Sequence, residues 1–256
     1  MVVGGPAEDD ATDGVRRLFT FAVRDYDDPT GAFGQAMDAQ LAVVTAWWCD
    51  TSLGERAFTP LPVPALKTRR DVENALHDSG LRDSMAEDAV VVYVTGHGRG
   101  GTSGTHYLEL PDTAPGRPLH GAFRTADLVT AALDSHASHV LVVVNCCFAG
   151  ALHQELAGLR KDLAPQRGRL TSLGVFVTAD YHQKPRITDF TTLLHRVDRQ
   201  LRTTSELAGP HLSFDEFAAE LARAAKAEPT LLDTVKIWPL VHTSEPSLCL
   251  PNPGYR

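Results

Sequence analysis

Two short stretches carry residue types that do chemistry: Thr95-Gly96-His97-Gly98 and Asn145-Cys146-Cys147-Phe148-Ala149-Gly150. Glycines on both sides of His97 remove bulk, so the imidazole can stand exposed and a substrate backbone can approach closely. A thiol at a strand's end, just before a helix, lies near a helix N-terminus, where partial positive charge favours thiolate. Cysteine and histidine on neighbouring strand ends form a nucleophile–base pair. The imidazole takes the thiol proton, and the sulfur attacks an acyl carbon. Backbone N–H groups of Gly98 and Cys147 then supply an oxyanion hole. This chemistry alone does not say which of the adjacent thiols, Cys146 or Cys147, is the nucleophile.

Each stretch ends an unbroken apolar run, "VVVYV" before the histidine and "VLVVV" before the cysteines. Runs without alternation are expected of central parallel strands covered on both faces. A strand is expected in "RLFTFAVRDY" (17–26), closed by the acidic turn "DDPTG", and a long helix follows in "GAFGQAMDAQLAVVTAWWCDTSL". The three prolines of "AFTPLPVPAL" suit an edge strand, and Thr68 is a helix N-cap for "RRDVENALHDSGL". Further on, "THYLELPDT" reads as a hairpin arm, while "SLGVFVTAD" and "VKIWPLV" read as strands. Helices are expected in "FRTADLVTAALDSHA", "AGALHQELAGLRKDL", "DFTTLLHRVDRQL" and "SFDEFAAELARAA". Alternating strands and helices predict an α/β fold of three layers, with a mostly parallel central sheet of about six strands and helices on both faces. In such a sheet ligands collect outside the carboxyl ends of the strands, where both stretches lie. Residues 1–15 read as a flexible leader, 16–250 as one domain, and 251–256 as a tail or the start of a linker.

The 256 residues suffice for a sizeable core without disulfides or structural metal. A net charge of −8 with no basic stripe argues against nucleic acid as the main partner. No apolar run approaches the ~18 residues of a membrane span, and no secretory signal opens the chain. Four cysteines without zinc-type spacing are expected as reduced thiols in the cytoplasm.

"VYVTGHGRGG" followed by "VLVVVNCCFAGAL" resembles the two catalytic strands of the caspase-like cysteine peptidases, most closely the bacterial relatives of metacaspases. The cysteine at 147 stands 50 residues after the histidine at 97, the spacing familiar from caspases. The resemblance covers roughly residues 16–250 and is thin outside the two loops. It implies a caspase-like fold and endopeptidase activity with His97 as base and Cys147 as nucleophile. Cys146 then takes the position of a small residue pointing into the core. Thr95, Asn145, Arg24 and Asp180 are the expected lining of the substrate pocket. Asn145 stands where metacaspases have Asp, and an uncharged amide cannot pair an incoming Arg or Lys. Arg24 would favour an acidic residue there; Asp25, Asp27, Asp28 and Asp180 would favour the opposite. Phe148-Ala149 replaces His-Ser of the usual motif.

The expected partners are a protein or peptide substrate and regulatory domains or proteins. No organic cofactor is required; calcium enters only because some metacaspases respond to it, and "RDYDDPTG" reads as a solvated turn. The remaining histidines, His106 and His139 among them, read as surface or capping residues. Trp47, Trp48 and Trp238 read as core or interface. The glycines after His97 lack the G-K-[ST] ending of a phosphate loop, which weakens a nucleotide-binding reading. The alternative function is a catalytically degenerate domain of the same fold that acts as a binding adaptor.

Overall fold

The structure is a computed structural model. It describes residues 14–255 apart from 102–103, 115–116, 118–119, 163–171, 180–183, 185, 205–206, 228–235 and 239–244. A six-stranded sheet holds β1 (Arg16–Ala22), β2 (Thr59–Leu61), β3 (Ala89–Gly96), β7 (His139–Cys146), β8 (Ser172–Val177) and β9 (Lys236–Trp238). Their order is β2-β1-β3-β7-β8-β9. Five strands run parallel and β9 pairs antiparallel with β8. A small antiparallel sheet of β4 (Gly98–Gly100), β5 (His106–Leu108) and β6 (Phe123–Arg124) follows β3 directly.

The apolar runs become β3 and β7 because both of their faces are covered. On one face Val90, Val92, Val94, Val140, Val142 and Val144 pack against α2 (Arg69–Asp78), α3 (Thr125–Leu133), α4 (Leu152–Asp162) and the small sheet. On the other, Val91, Tyr93, Leu141 and Val143 meet α1 (Ala32–Cys49), α5 (Asp189–Thr204) and α6 (Phe214–Lys226). Neither face admits an unpaired polar residue, which is why the two runs show no alternation. The expected three-layer α/β architecture with its mostly parallel sheet is what the chain adopts. The proline-bearing β2 lies at the sheet edge, and Trp47 and Trp48 are buried under α5 and α6.

Helix starts follow local chemistry. Thr68 and Ser213 each close a capping box with the carboxylate three residues on, Asp71 and Glu216. Asp28 accepts from the backbone N–H groups of Thr30 and Phe33 and from the Thr30 hydroxyl, at 2.7–3.0 Å, so the acidic turn serves to open α1.

The described residues at the boundaries of the expected leader and tail are bonded into the fold. Val15 is already bonded to Asp88 and Ala89. Pro251 and Asn252 are buried, with the Asn252 amide donating to the carbonyls of Leu207 and Gly209. The Arg56 guanidinium donates to the carbonyls of Pro210, Asn252 and Tyr255. A proline-rich composition suggested a linker; the backbone hydrogen bonds from Arg56 and Asn252 hold it as part of the fold. Residues 1–13 lie outside the described residues.

Candidate active site

Strand register brings the two stretches together. In the parallel pair β3–β7, Thr95 stands opposite Asn145 and Gly96 opposite Cys146. His97 and Cys147 directly follow the ends of these two adjacent strands. Beyond the strand ends the loops still touch. A Cβ on Gly98 would lie 2.2 Å from the Cys147 carbonyl oxygen and 2.8 Å from Cys146 Cβ. Only glycine permits this approach, and so Gly98 holds the histidine loop against the cysteine loop.

The hairpin after His97 also sets the Gly98 N–H. Glu109 N–H donates to the His97 carbonyl at 2.8 Å, and Gly98 pairs with Leu108. In an antiparallel ladder, bonded and non-bonded pairs alternate, so Gly98–Leu108 is a non-bonded pair and the Gly98 N–H turns away from β5. The backbone beside Cys147 is as unusual. Phe148 has φ 60°, a left-handed conformation rare for a residue with a side chain, and it redirects the chain from β7 into the turn Ala149–Ala151.

His97 is exposed, but its position is fixed. Its backbone N–H donates to the Tyr26 hydroxyl at 2.8 Å, and that hydroxyl donates to the Glu109 carbonyl at 2.7 Å. Its ring lies against Tyr26 and Phe33, with both centroid separations 4.3 Å. Partial burial pushes the imidazole below its ordinary value, while the Glu109 carboxylate pulls it back up. Glu109 is itself paired with Arg99. A histidine so placed is neutral at pH 7 and able to accept a proton.

The two cysteines differ in burial. Cys146 is 2% exposed, packs in the same core as Val144, and burial drives its thiol well above the ordinary range. Cys147 is half-buried. Its thiol is also pushed up by burial, pulled down by the Lys184 ammonium and its own backbone N–H, and pushed up again by Glu109. Thiolate at rest was the expectation from a helix N-terminus. The helix proper begins only at Leu152, beyond the reach of its dipole, so burial wins. The Lys184 ammonium lies 5.5 Å from the Phe148 ring centroid, on the rim of the same loop.

The expected substrate-pocket residues are not brought to one surface. Thr95 is 1% exposed and donates to Gln40 Oε1 (2.8 Å) and the Asn145 carbonyl (3.1 Å). Asn145 is 7% exposed; its amide donates to the Tyr93 hydroxyl (2.8 Å) and accepts from Thr178 (2.5 Å). Both side chains are consumed in a buried network beneath the strand ends. Arg24 is exposed and paired with Asp38 of α1 at 2.7 Å. Asp180 lies outside the described residues.

Tyr26, Phe33, Glu109 and Lys184 were not among the expected site residues. Two histidines also depart from the surface reading: His139 is buried, and His106 is fully so. In "HYL" the first and third residues face inward, and His106 shares that side with Leu108. The two-residue period of a strand carries this signal, since alternate residues share a face. Among the described residues no group of three or more His, Cys, Asp or Glu is arranged to hold a metal ion. No described helix is long and apolar enough to cross a membrane.

No family model and no curated protein matches the chain. Among solved structures, protein GSU0716 from Geobacter sulfurreducens aligns over 94% of this chain and 98% of its own, at 15% identity and a TM-score of 0.53. Raptor from Chaetomium thermophilum aligns over 74% of this chain at 13% identity and a TM-score of 0.44, and the chain spans only 18% of Raptor's length. The likeness to GSU0716 is one of fold, and neither name indicates a peptidase.

Proposed function

We propose that the chain is a cysteine endopeptidase of the caspase-like class, with His97 as base and Cys147 as nucleophile. The observation that carries the reading is the β3–β7 register, which pairs Gly96 with Cys146, so that His97 and Cys147 each follow a neighbouring strand end at the carboxyl edge of the sheet. Glycine-mediated contact between their loops supports it. With the thiol raised and the imidazole lowered, the resting pair is neutral. The neutral imidazole takes the thiol proton as the sulfur adds to the substrate carbonyl carbon. The Gly98 and Cys147 N–H groups face the oxyanion. The proton then passes to the leaving amine, and water hydrolyses the thioester.

The substrate is a protein or peptide. Lys184, whose ammonium acts on the Cys147 thiol, favours an acidic side chain beside the scissile bond, since Thr95 and Asn145 are engaged internally. Four unpaired thiols suit the reducing cytoplasm.

A second reading, an adaptor of the same fold without turnover, draws on the raised Cys147 thiol. Labelling with a peptidyl acyloxymethyl ketone separates the two. The peptidase reading expects covalent modification at Cys147 that disappears in Cys147→Ala, falls at least 100-fold in His97→Ala, and persists in Cys146→Ala. Modification that survives Cys147→Ala, or none in the wild type, defeats it.

A further inference from the structure

We propose that His106 is a positioning residue for the nucleophile: its imidazole grips the Cys147 carbonyl and thereby fixes the peptide that aims the thiol. This rests on Cys147 being the nucleophile.

His106 is entirely buried, an uncommon place for a polar ring. Its Nε2 lies 3.0 Å from the Cys147 carbonyl oxygen and its Nδ1 lies 2.8 Å from the Thr125 hydroxyl. A carbonyl oxygen only accepts, so Nε2 carries the proton and donates. Nδ1 is then the acceptor, and Thr125 donates to it. These two contacts select one neutral tautomer, and burial, by lowering the basicity of the ring, keeps it neutral. The His106 backbone N–H is held in turn by Glu155 Oε2 at 3.1 Å, and Glu155 also takes Arg124 Nε at 2.6 Å. Glu155 of α4, itself paired with Arg124 of β6, thus anchors the His106 backbone, while Thr125 of α3 and the nucleophile's carbonyl hold the two ring nitrogens.

The contact matters because Phe148 comes directly after Cys147. The peptide between 147 and 148 is planar and trans, so fixing its carbonyl fixes the Phe148 N–H in the opposite direction. Phe148 is then held at φ 60°, which the turn alone would not favour. Gly98 completes the grip: a Cβ there would be 2.8 Å from His106 Nε2 as well as 2.2 Å from the Cys147 oxygen. The loop bearing the base, the ring of His106 and the nucleophile's peptide form one packed unit. A leucine would fill the same space but leave the part-buried carbonyl without this donor, free to rotate the peptide towards another.

The test measures the rate of Cys147 modification by the peptidyl acyloxymethyl ketone, resolved by site in the mass spectrum, from pH 5.5 to 9. Wild type, His106→Leu, His106→Gln and Thr125→Val are compared, with melting temperatures showing which remain folded. The expected result is a fall of at least tenfold at every pH in His106→Leu, consistent with the cost of a misplaced reacting group. Recovery to within about threefold is expected in His106→Gln, whose amide N–H can reach the same carbonyl. Thr125→Val is expected to lie between them, and it carries the test should His106→Leu not fold. A folded His106→Leu, or Thr125→Val in its place, reacting at the wild-type rate overturns the inference. So does a glutamine variant as impaired as the leucine variant. Failure of the wild type to react at Cys147 removes the nucleophile reading itself, an outcome distinct from either.

Discussion

Lowering the pH should draw a defined stability loss from His106. The unfolded histidine takes a proton near 6.5, while burial holds the folded ring down to about 4, against a partial upward pull from its bond to the Cys147 carbonyl. Between these values the unfolded chain binds a proton that the folded chain does not. The contribution of His106 is therefore whole above pH 6.5 and is lost progressively as the pH falls towards 4. A gap of that size, at ~1.4 kcal/mol per tenfold change in proton affinity, corresponds to about 3 kcal/mol, a large share of the 5–15 kcal/mol typical of a domain. Urea unfolding followed by tryptophan fluorescence at pH 7.5, 6.5, 5.5, 4.5 and 4 measures it. The same series on His106→Gln subtracts every other group that titrates in this range. The wild type should lose about 3 kcal/mol more than the variant across the window. Parallel curves would mean that His106 is not buried as a neutral ring, and the reasoning would fail.

Gly98→Ala should cost about 1–3 kcal/mol and sharply reduce Cys147 labelling, because the new methyl meets a backbone oxygen rather than a yielding side chain; melting temperature and mass spectrometry check both halves. Tyr26→Phe removes the hydroxyl shared by His97 N–H and the Glu109 carbonyl. A loss of about 1–2 kcal/mol is expected, with kcat falling more than KM rises in a fluorogenic peptide assay.

The large pattern was readable because it comes from chain-local physics. Two unbroken valine runs announce a doubly covered parallel strand, Thr68 and Ser213 announce helix starts, and proline in "TPL" announces an edge. That the histidine and cysteine loops lie together was readable for a related reason, since each directly follows one of those strands. What escaped depends on partners far away in sequence. Tyr26 looks like part of an acidic turn until Glu109, 83 residues later, supplies its acceptor. Asn145 looks like a pocket residue until Tyr93 and Thr178 take both ends of its amide. His106 hides in a three-residue strand, too short for its alternation to stand out.

The first and last described residues enter and leave the fold at one place. Arg16 opens β1 and bonds the Glu55 carbonyl, and the neighbouring Arg56 holds the backbone of Asn252 and Tyr255. Ser247 is bonded to Ser172, and the Leu248 N–H to His139, at the starts of β8 and β7. Entry and exit thus share the pole opposite Cys147. At Arg16 and Tyr255 the backbone therefore meets the fold at the amino ends of the parallel strands, the full length of the sheet away from the His97 and Cys147 loops.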